Sequence, residues 1–131
     1  MEPTIHNGTT LTLTKYGSPA QVKRGDIVEY KSTKGIVKSH TASAKLVHRV
    51  IALPGERIVI KNNVVTVYNQ QNPNGINPDT FLSQEVVTAG DVDITLAANE
   101  FFVMGDNRPD ALDSRVIGPI NYSDIIAKAN L

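Results

Sequence analysis

Apolar residues in this chain recur at alternate positions, in short runs cut by glycine, proline and asparagine. A period of two places every second side chain on one face of an extended strand. No long stretch carries the 3.6-residue repeat of an amphipathic helix. Leu11 and Leu13 alternate with Thr10, Thr12 and Thr14, which predicts a half-buried strand. Residues 26–30 predict a short strand entered by the Gly25 turn. Residues 46–53 are apolar on both faces except at His48 and Arg49, the pattern of a central strand, and they stop at Pro54-Gly55. Residues 57–60 and 64–68 flank Lys61-Asn62-Asn63, and asparagine tolerates the left-handed backbone that a tight hairpin needs. The Asn- and Pro-rich stretch 69–78 is a loop. Residues 86–87, 92–96 and 101–104 are further strands, the last feeding Gly105. Residues 125–129 read equally as a strand or as a short helix capped by Ser123 or Asp124. So many short strands predict a mostly β fold, an antiparallel sheet of barrel-like or sandwich form.

At 131 residues the chain makes one domain with a core that needs no disulfide or metal. Thirteen basic and thirteen acidic side chains cancel, which leaves no electrostatic footprint for nucleic acid or for an anionic membrane surface. Tryptophan is absent and aromatics are few, so a base-stacking surface is not expected. The absence of cysteine excludes disulfides and thiol catalysis. No apolar run approaches the roughly 18 residues of a membrane span, and no signal-peptide pattern opens the sequence. Those properties alone imply a soluble globular domain.

His48 is the one titratable side chain whose chemistry stands out, because it interrupts an apolar strand beside Arg49. Read from the residues alone it is either a satisfied core histidine or a proton-transfer group. Lys45 lies an odd number of positions away and should face the other side of the strand. Ser39 and Ser43 have no motif around them. His6 and His40 lack metal-ligand spacing to His48, so neither a metal nor a cofactor is expected. Arg24-Gly25-Asp26 spells a cell-adhesion tripeptide, but its place before a strand makes it a β-turn.

Four segments follow one another in order: Met1-Glu2-Pro3-Thr4-Ile5; Arg24-Gly25-Asp26-Ile27-Val28; His48-Arg49-Val50-Ile51-Ala52-Leu53-Pro54-Gly55-Glu56; and Gly105-Asp106-Asn107-Arg108, followed by Asp113-Ser114-Arg115 and Gly118. In order and spacing they resemble the type I signal peptidases, serine peptidase family S26, membrane-tethered proteases that remove signal peptides. The resemblance covers nearly the whole chain. It implies a single peptidase domain over 1–131, with an antiparallel, barrel-like catalytic core at about 1–56 and 99–131 and a small β accessory insertion at about 57–98. It also implies cleavage of exported preproteins after Ala-x-Ala, with the catalytic domain on the extracytoplasmic face of the cell membrane. An N-terminal anchor would hold the full protein there, while this fragment would be a soluble monomer.

The resemblance also assigns roles. The family's nucleophilic serine immediately precedes the methionine that matches Met1, so it is not among these residues, and the chain alone is expected to be inactive. Bacterial members carry a lysine base at the position of His48, and the endoplasmic-reticulum and archaeal-type branch carries a histidine. His48 is therefore expected as the catalytic base within a bacterial-type frame. A lysine base must be tuned from about 10.4 toward 7, roughly 4 kcal/mol against the charged form, whereas a histidine starts near 6.5. An acid limb of activity near pH 6 to 7 would follow, about where imidazole titrates. A histidine base does need its second ring nitrogen oriented. Asp113 has two readings: it orients His48, or it only pairs with Arg115. Ala111 stands where the family usually has a serine that helps orient the lysine. Arg49, Asp106, Asn107, Arg108, Ser114 and Arg115 would brace the site, with Arg49 and Asp106 as a buried pair. Met1, Pro3, Ile5, Leu46 and Val47 would shape the pocket before the cut or pair with substrate backbone. Two other readings remain: a catalytically dead relative that kept the peptide groove, or another processing peptidase of the serine-lysine clan. A self-cleaving repressor of that clan would carry a DNA-binding domain and a cleavable linker, and neither is visible.

Overall fold

Nine strands form two antiparallel sheets in the computed structural model, which describes residues 1–32 and 44–131. Ser39, His40 and Ser43 lie outside the described residues. The strands are β1 Thr12–Thr14, β2 Ile27–Ser32, β3 Ala44–Ala52, β4 Arg57–Lys61, β5 Val64–Tyr68, β6 Val92–Thr95, β7 Glu100–Met104, β8 Ile120–Asn121 and β9 Ile125–Asn130. The larger sheet runs β1-β9-β2-β3-β7-β8 and the smaller β5-β4-β6. The smaller sheet is drawn entirely from residues 57–95. The mostly β expectation holds. Among the described residues no helix is long and apolar enough to cross a membrane.

Strands β3 and β7 are apolar on both faces because each divides two cores. Phe101 and Val103 pack with Val28, Tyr30, Val50 and Ile120 on one side. Phe102 and Met104 pack with Ile51, Ile58, Ile60, Val67 and Leu96 on the other, under the small sheet. The turns form where the sequence placed them. Asn62 and Asn63 both have positive φ, at 51° and 64°, as a two-residue type I′ hairpin requires. Leu53-Pro54-Gly55-Glu56 closes with Glu56 N–H donating to the Leu53 carbonyl at 3.1 Å, and Gly55 has φ 81°. The Glu56 carboxylate then accepts from Leu53 N at 2.7 Å and twice from Arg24, also at 2.7 Å. The Arg24-Gly25-Asp26 tripeptide is a β-turn, with Asp26 N–H on the Lys23 carbonyl at 3.1 Å and Gly25 at φ 90°.

Three local expectations are corrected. Leu13 is in a strand but is 46% exposed, because β1 is an edge strand paired with β9 alone. Residues 86–87 are not a strand: Val87 is exposed, and the segment is tied down instead by Thr88, whose N–H donates to the Asn63 carbonyl. Residues 125–129 are strand and not helix. Asn121 and Asp124 cap only the short 3₁₀ turn Tyr122–Asp124, while Ala127 and Ala129 alternate inward and pair with β2.

Candidate active site

Antiparallel pairing sets His48 opposite Val28 and Leu46 opposite Tyr30. Tyr30 and His48 are thus diagonal neighbours on one face of the sheet, within reach of each other's rings. The Tyr30 hydroxyl lies 2.8 Å from His48 Nδ1, and the ring centroids are 5.8 Å apart. Tyr30 is fully buried and His48 nearly so. The other edge of the imidazole faces Gly105. A Cβ there would sit 3.4 Å from His48 Cδ2, 3.6 Å from Nε2 and 2.5 Å from the Ala111 Cβ. Position 105 therefore has to be glycine for the β7 turn to approach the ring. Nε2 has no hydrogen-bond partner among the described residues, and it is not sealed from solvent.

Arg49 projects to the opposite face and meets Asp106, with Nε to Oδ1 at 2.9 Å and Nη2 to Oδ2 at 2.7 Å. Its Nη1 donates to the Gly25 carbonyl at 2.9 Å, and the guanidinium lies 4.4 Å from the centre of the Phe81 ring. Asp106 also holds the start of the chain. The Thr4 hydroxyl donates to its carboxylate, and its own N–H donates to the Met1 sulfur at 3.4 Å. Met1 is thereby fastened beside β3. Its ammonium is near enough to act on the His48 charge.

Burial pushes the His48 imidazole down to about 4. Asp113 opposes that shift, the Met1 ammonium and Arg115 add to it, and Asp106 opposes it weakly. The ring is neutral at physiological pH, as a base must be. The depressed value lies below the pH 6 to 7 range of an unshifted imidazole. A stability effect follows. The unfolded ring binds a proton below 6.5 and the folded ring only near 4. Stability is therefore full above pH 6.5 and falls as the pH drops toward 4, by about 3 kcal/mol at most. Urea unfolding at pH 7 and pH 4.5 should show this loss in the wild type and a smaller one in His48→Gln. An identical loss in both would refute the depressed pKa.

Asp113 does not touch the imidazole. Its Oδ1 accepts from Arg115 N at 3.1 Å and Nε at 2.9 Å; its Oδ2 accepts from Gly105 N at 3.0 Å and Arg115 Nη2 at 2.9 Å. It caps the short helix α1, Ser114–Ile117. Of its two readings, the Arg115 pair is the one built, and Asp113 reaches His48 through its charge alone. The orienting contact belongs to Tyr30, which the motif comparison passed over. The β2–β3 register was the signal that could have found it.

The remaining residues divide clearly. Arg108 is buried, donating to the Gly105 carbonyl at 2.9 Å, to Asp79 at 2.8 Å and to Thr88 at 2.6 Å. Arg115 donates to the Arg108 and Ala89 carbonyls. The Ser114 hydroxyl accepts from Val103 N at 3.0 Å. Among the described residues the Asn107 side chain reaches Asp110 alone, at the surface. Lys45 is exposed and stands opposite Lys31. Leu46 and Val47 are half-buried, as are Met1 and Ile5; Pro3 is exposed. Pro3 and Thr4 line a cleft with Phe81, Leu82, Val86 and Asp106. Among the described residues Ala44–His48 pairs only with β2, because β7 joins β3 first at Arg49 opposite Met104. Among the described residues no second strand pairs with that half of β3.

The family described as signal peptidase, peptidase S26, matches residues 1–131. The chain is 31% identical over 137 residues to signal peptidase I P of Bacillus subtilis subsp. natto, covering all of this chain and 70% of that protein. It is 29% identical over 125 residues to signal peptidase I T of Bacillus subtilis strain 168, covering 88% of this chain and 58% of that one. Its fold is similar to a crystal structure of a signal peptidase I from Enterococcus faecalis V583, with a TM-score of 0.59 at 20% identity, covering 82% of this chain and 96% of the other.

Proposed function

This chain belongs to the signal peptidase family, peptidase S26, and on that premise we propose that it provides the base, the brace and the substrate edge of a serine endopeptidase that cleaves signal peptides from exported preproteins after Ala-x-Ala. The observation that carries this reading is the place of Met1. Asp106 ties Met1 and Thr4 beside β3, and the Met1 ammonium acts on the His48 charge. A serine directly before Met1 would be bonded to that same nitrogen.

The chemistry then runs in two halves. The serine hydroxyl gives its proton to His48 Nε2 as its oxygen attacks the scissile carbonyl. The serine's own backbone N–H contributes to the oxyanion hole. His48 returns the proton to the leaving amine, and water, deprotonated by the same nitrogen, hydrolyses the acyl-enzyme. The edge at Ala44–His48 suits a substrate that docks as an added strand, held by main-chain hydrogen bonds and sorted by alternate side-chain pockets. Leu46 and Val47 lie on that edge, and Met1 and Ile5 are the apolar residues that the resemblance sets beside it. The whole protein acts at the cell membrane, with this domain on its extracytoplasmic face.

Two versions of the protein test the placement. A chain that begins at Met1 should not cleave an Ala-x-Ala peptide, and a chain carrying serine directly before Met1 should. Cleavage by the first would move the nucleophile elsewhere. Silence of both, with peptide binding retained, would favour the peptide-binding relative.

A further inference from the structure

The phenol that grips His48 is not equivalent to the carboxylate of a catalytic triad. A carboxylate can only accept, so it fixes the proton on Nδ1 and leaves Nε2 as the basic nitrogen. A phenol can do either. The Tyr30 oxygen has one partner among the described residues, His48 Nδ1, and the side chain is 0% exposed. One proton occupies that 2.8 Å contact, so two neutral arrangements compete. In one, the phenol donates to Nδ1 and the ring carries its proton on Nε2. In the other, Nδ1–H donates to the phenol oxygen, and the phenol's own hydrogen is buried without an acceptor. Leaving a buried donor unmet is the costlier choice.

We propose that Tyr30 is a positioning residue that holds resting His48 with its proton on Nε2, the nitrogen facing Gly105. This inference rests on His48 being the base. Before His48 can accept the serine proton the ring must change tautomer: Nε2 gives its proton to solvent, Nδ1 takes one from solvent, and the phenol keeps its own hydrogen but turns it away as Nδ1–H donates to the phenol oxygen. Once the serine proton arrives on Nε2, the imidazolium keeps Nδ1–H on that oxygen, so the phenol supports the charged intermediate by turning from donor to acceptor. No net proton is gained or lost. The charges of Asp113 and Asp106 favour the charged form of the ring, while those of Arg115 and the Met1 ammonium disfavour it. None of these four bonds to the ring, so none sets which nitrogen holds the neutral proton.

The test is ¹⁵N NMR of the His48 ring in the 131-residue chain at pH 7.5, where the ring is neutral, beside the Tyr30→Phe variant. The expected wild-type ratio favours Nε2–H over Nδ1–H by about tenfold or more. In Tyr30→Phe the preference should shrink several-fold, while the amide spectrum stays native. A wild-type ring protonated mainly on Nδ1 overturns the inference, and so does a ratio that Tyr30→Phe leaves unchanged. If Tyr30→Phe fails to fold, the wild-type ratio alone decides. Turnover of the serine-bearing chain and its His48→Ala variant tests the base reading separately, because the tautomer ratio needs no catalysis.

Discussion

Replacing His48 by alanine in a chain that carries serine before Met1 should lower kcat/KM for an Ala-x-Ala peptide by about 10² to 10⁴-fold, the range of a lost general base. The loss should fall on kcat, because the ring does not line the strand edge where the substrate backbone would pair. Neither Lys45 nor Asp113 can take over. Lys45 is exposed on the same strand and stands opposite Lys31. Asp113 has both oxygens committed to Arg115 and Gly105 N–H. His48→Lys should not rescue activity by itself, since Ala111 offers no hydroxyl to orient the neutral amine. The Ala111 Cβ lies 2.5 Å from the point where a Gly105 Cβ would stand, and Nε2 lies 3.6 Å from that same point. A serine at 111 is therefore close enough to serve a lysine base, and the pair His48→Lys with Ala111→Ser should recover part of the rate. Near-normal turnover in His48→Ala would remove His48 from the mechanism.

The parts of this site that could be read from sequence are those fixed by local geometry. Gly105 marks the close approach of the β7 turn to the ring, and the Arg49 and Asp106 pair sits at the two motifs that the resemblance joins. Tyr30 could not be read in the same way. It is one more apolar-facing residue on a strand, eighteen positions before His48, and only the antiparallel register turns that separation into a contact. Asp113 shows the converse. Its motif placed it near the base, but its oxygens were decided by helix capping and by an arginine two residues away, interactions stronger and nearer than an imidazole across the turn.

The fold divides along similar lines. Turn chemistry was legible because Asn62, Asn63 and Gly55 adopt the backbone that few other residues tolerate. Central strands were legible because β3 and β7 must satisfy two cores at once. Edges were not. An alternating pattern predicts a strand at Leu13 without saying that its face is left uncovered. At 86–87, apolar character without a pairing partner gave a loop tied by Thr88 and Arg108. Residues 125–129 were ambiguous because alanine and lysine fit helices as well as strands. Pairing with β1 and β2 decided them.

Asp106→Ala should destabilise the folded chain by about 3 to 5 kcal/mol, because it leaves the Arg49 guanidinium buried without its counter-ion. Arg49 is 8% and Asp106 4% exposed, so water does not substitute for the lost partner. For a domain of this size that is a fall in Tm of roughly 10 to 20 °C. Burial pushes the Asp106 carboxyl up, but Arg49 and Thr4 pull it down further, and it ends below the ordinary carboxylate range. The pair therefore stays ionised at neutral pH, and its contribution is lost only as the pH falls through the depressed value. An apolar double replacement, Arg49→Met with Asp106→Leu, should be markedly less destabilised than either single change, since it strands no charge. Equal losses in the single and double variants would mean that packing, and not the unpaired ion, sets the cost. The double variant should nevertheless stay slow when a serine precedes Met1. The Asp106 carboxylate is also what the Thr4 hydroxyl grips, so without it the start of the chain keeps only the backbone N–H contact to the Met1 sulfur and is held less firmly beside β3. Stability recovered without activity would separate the two duties of this carboxylate: neutralising a buried arginine and holding the nucleophile's segment against the base.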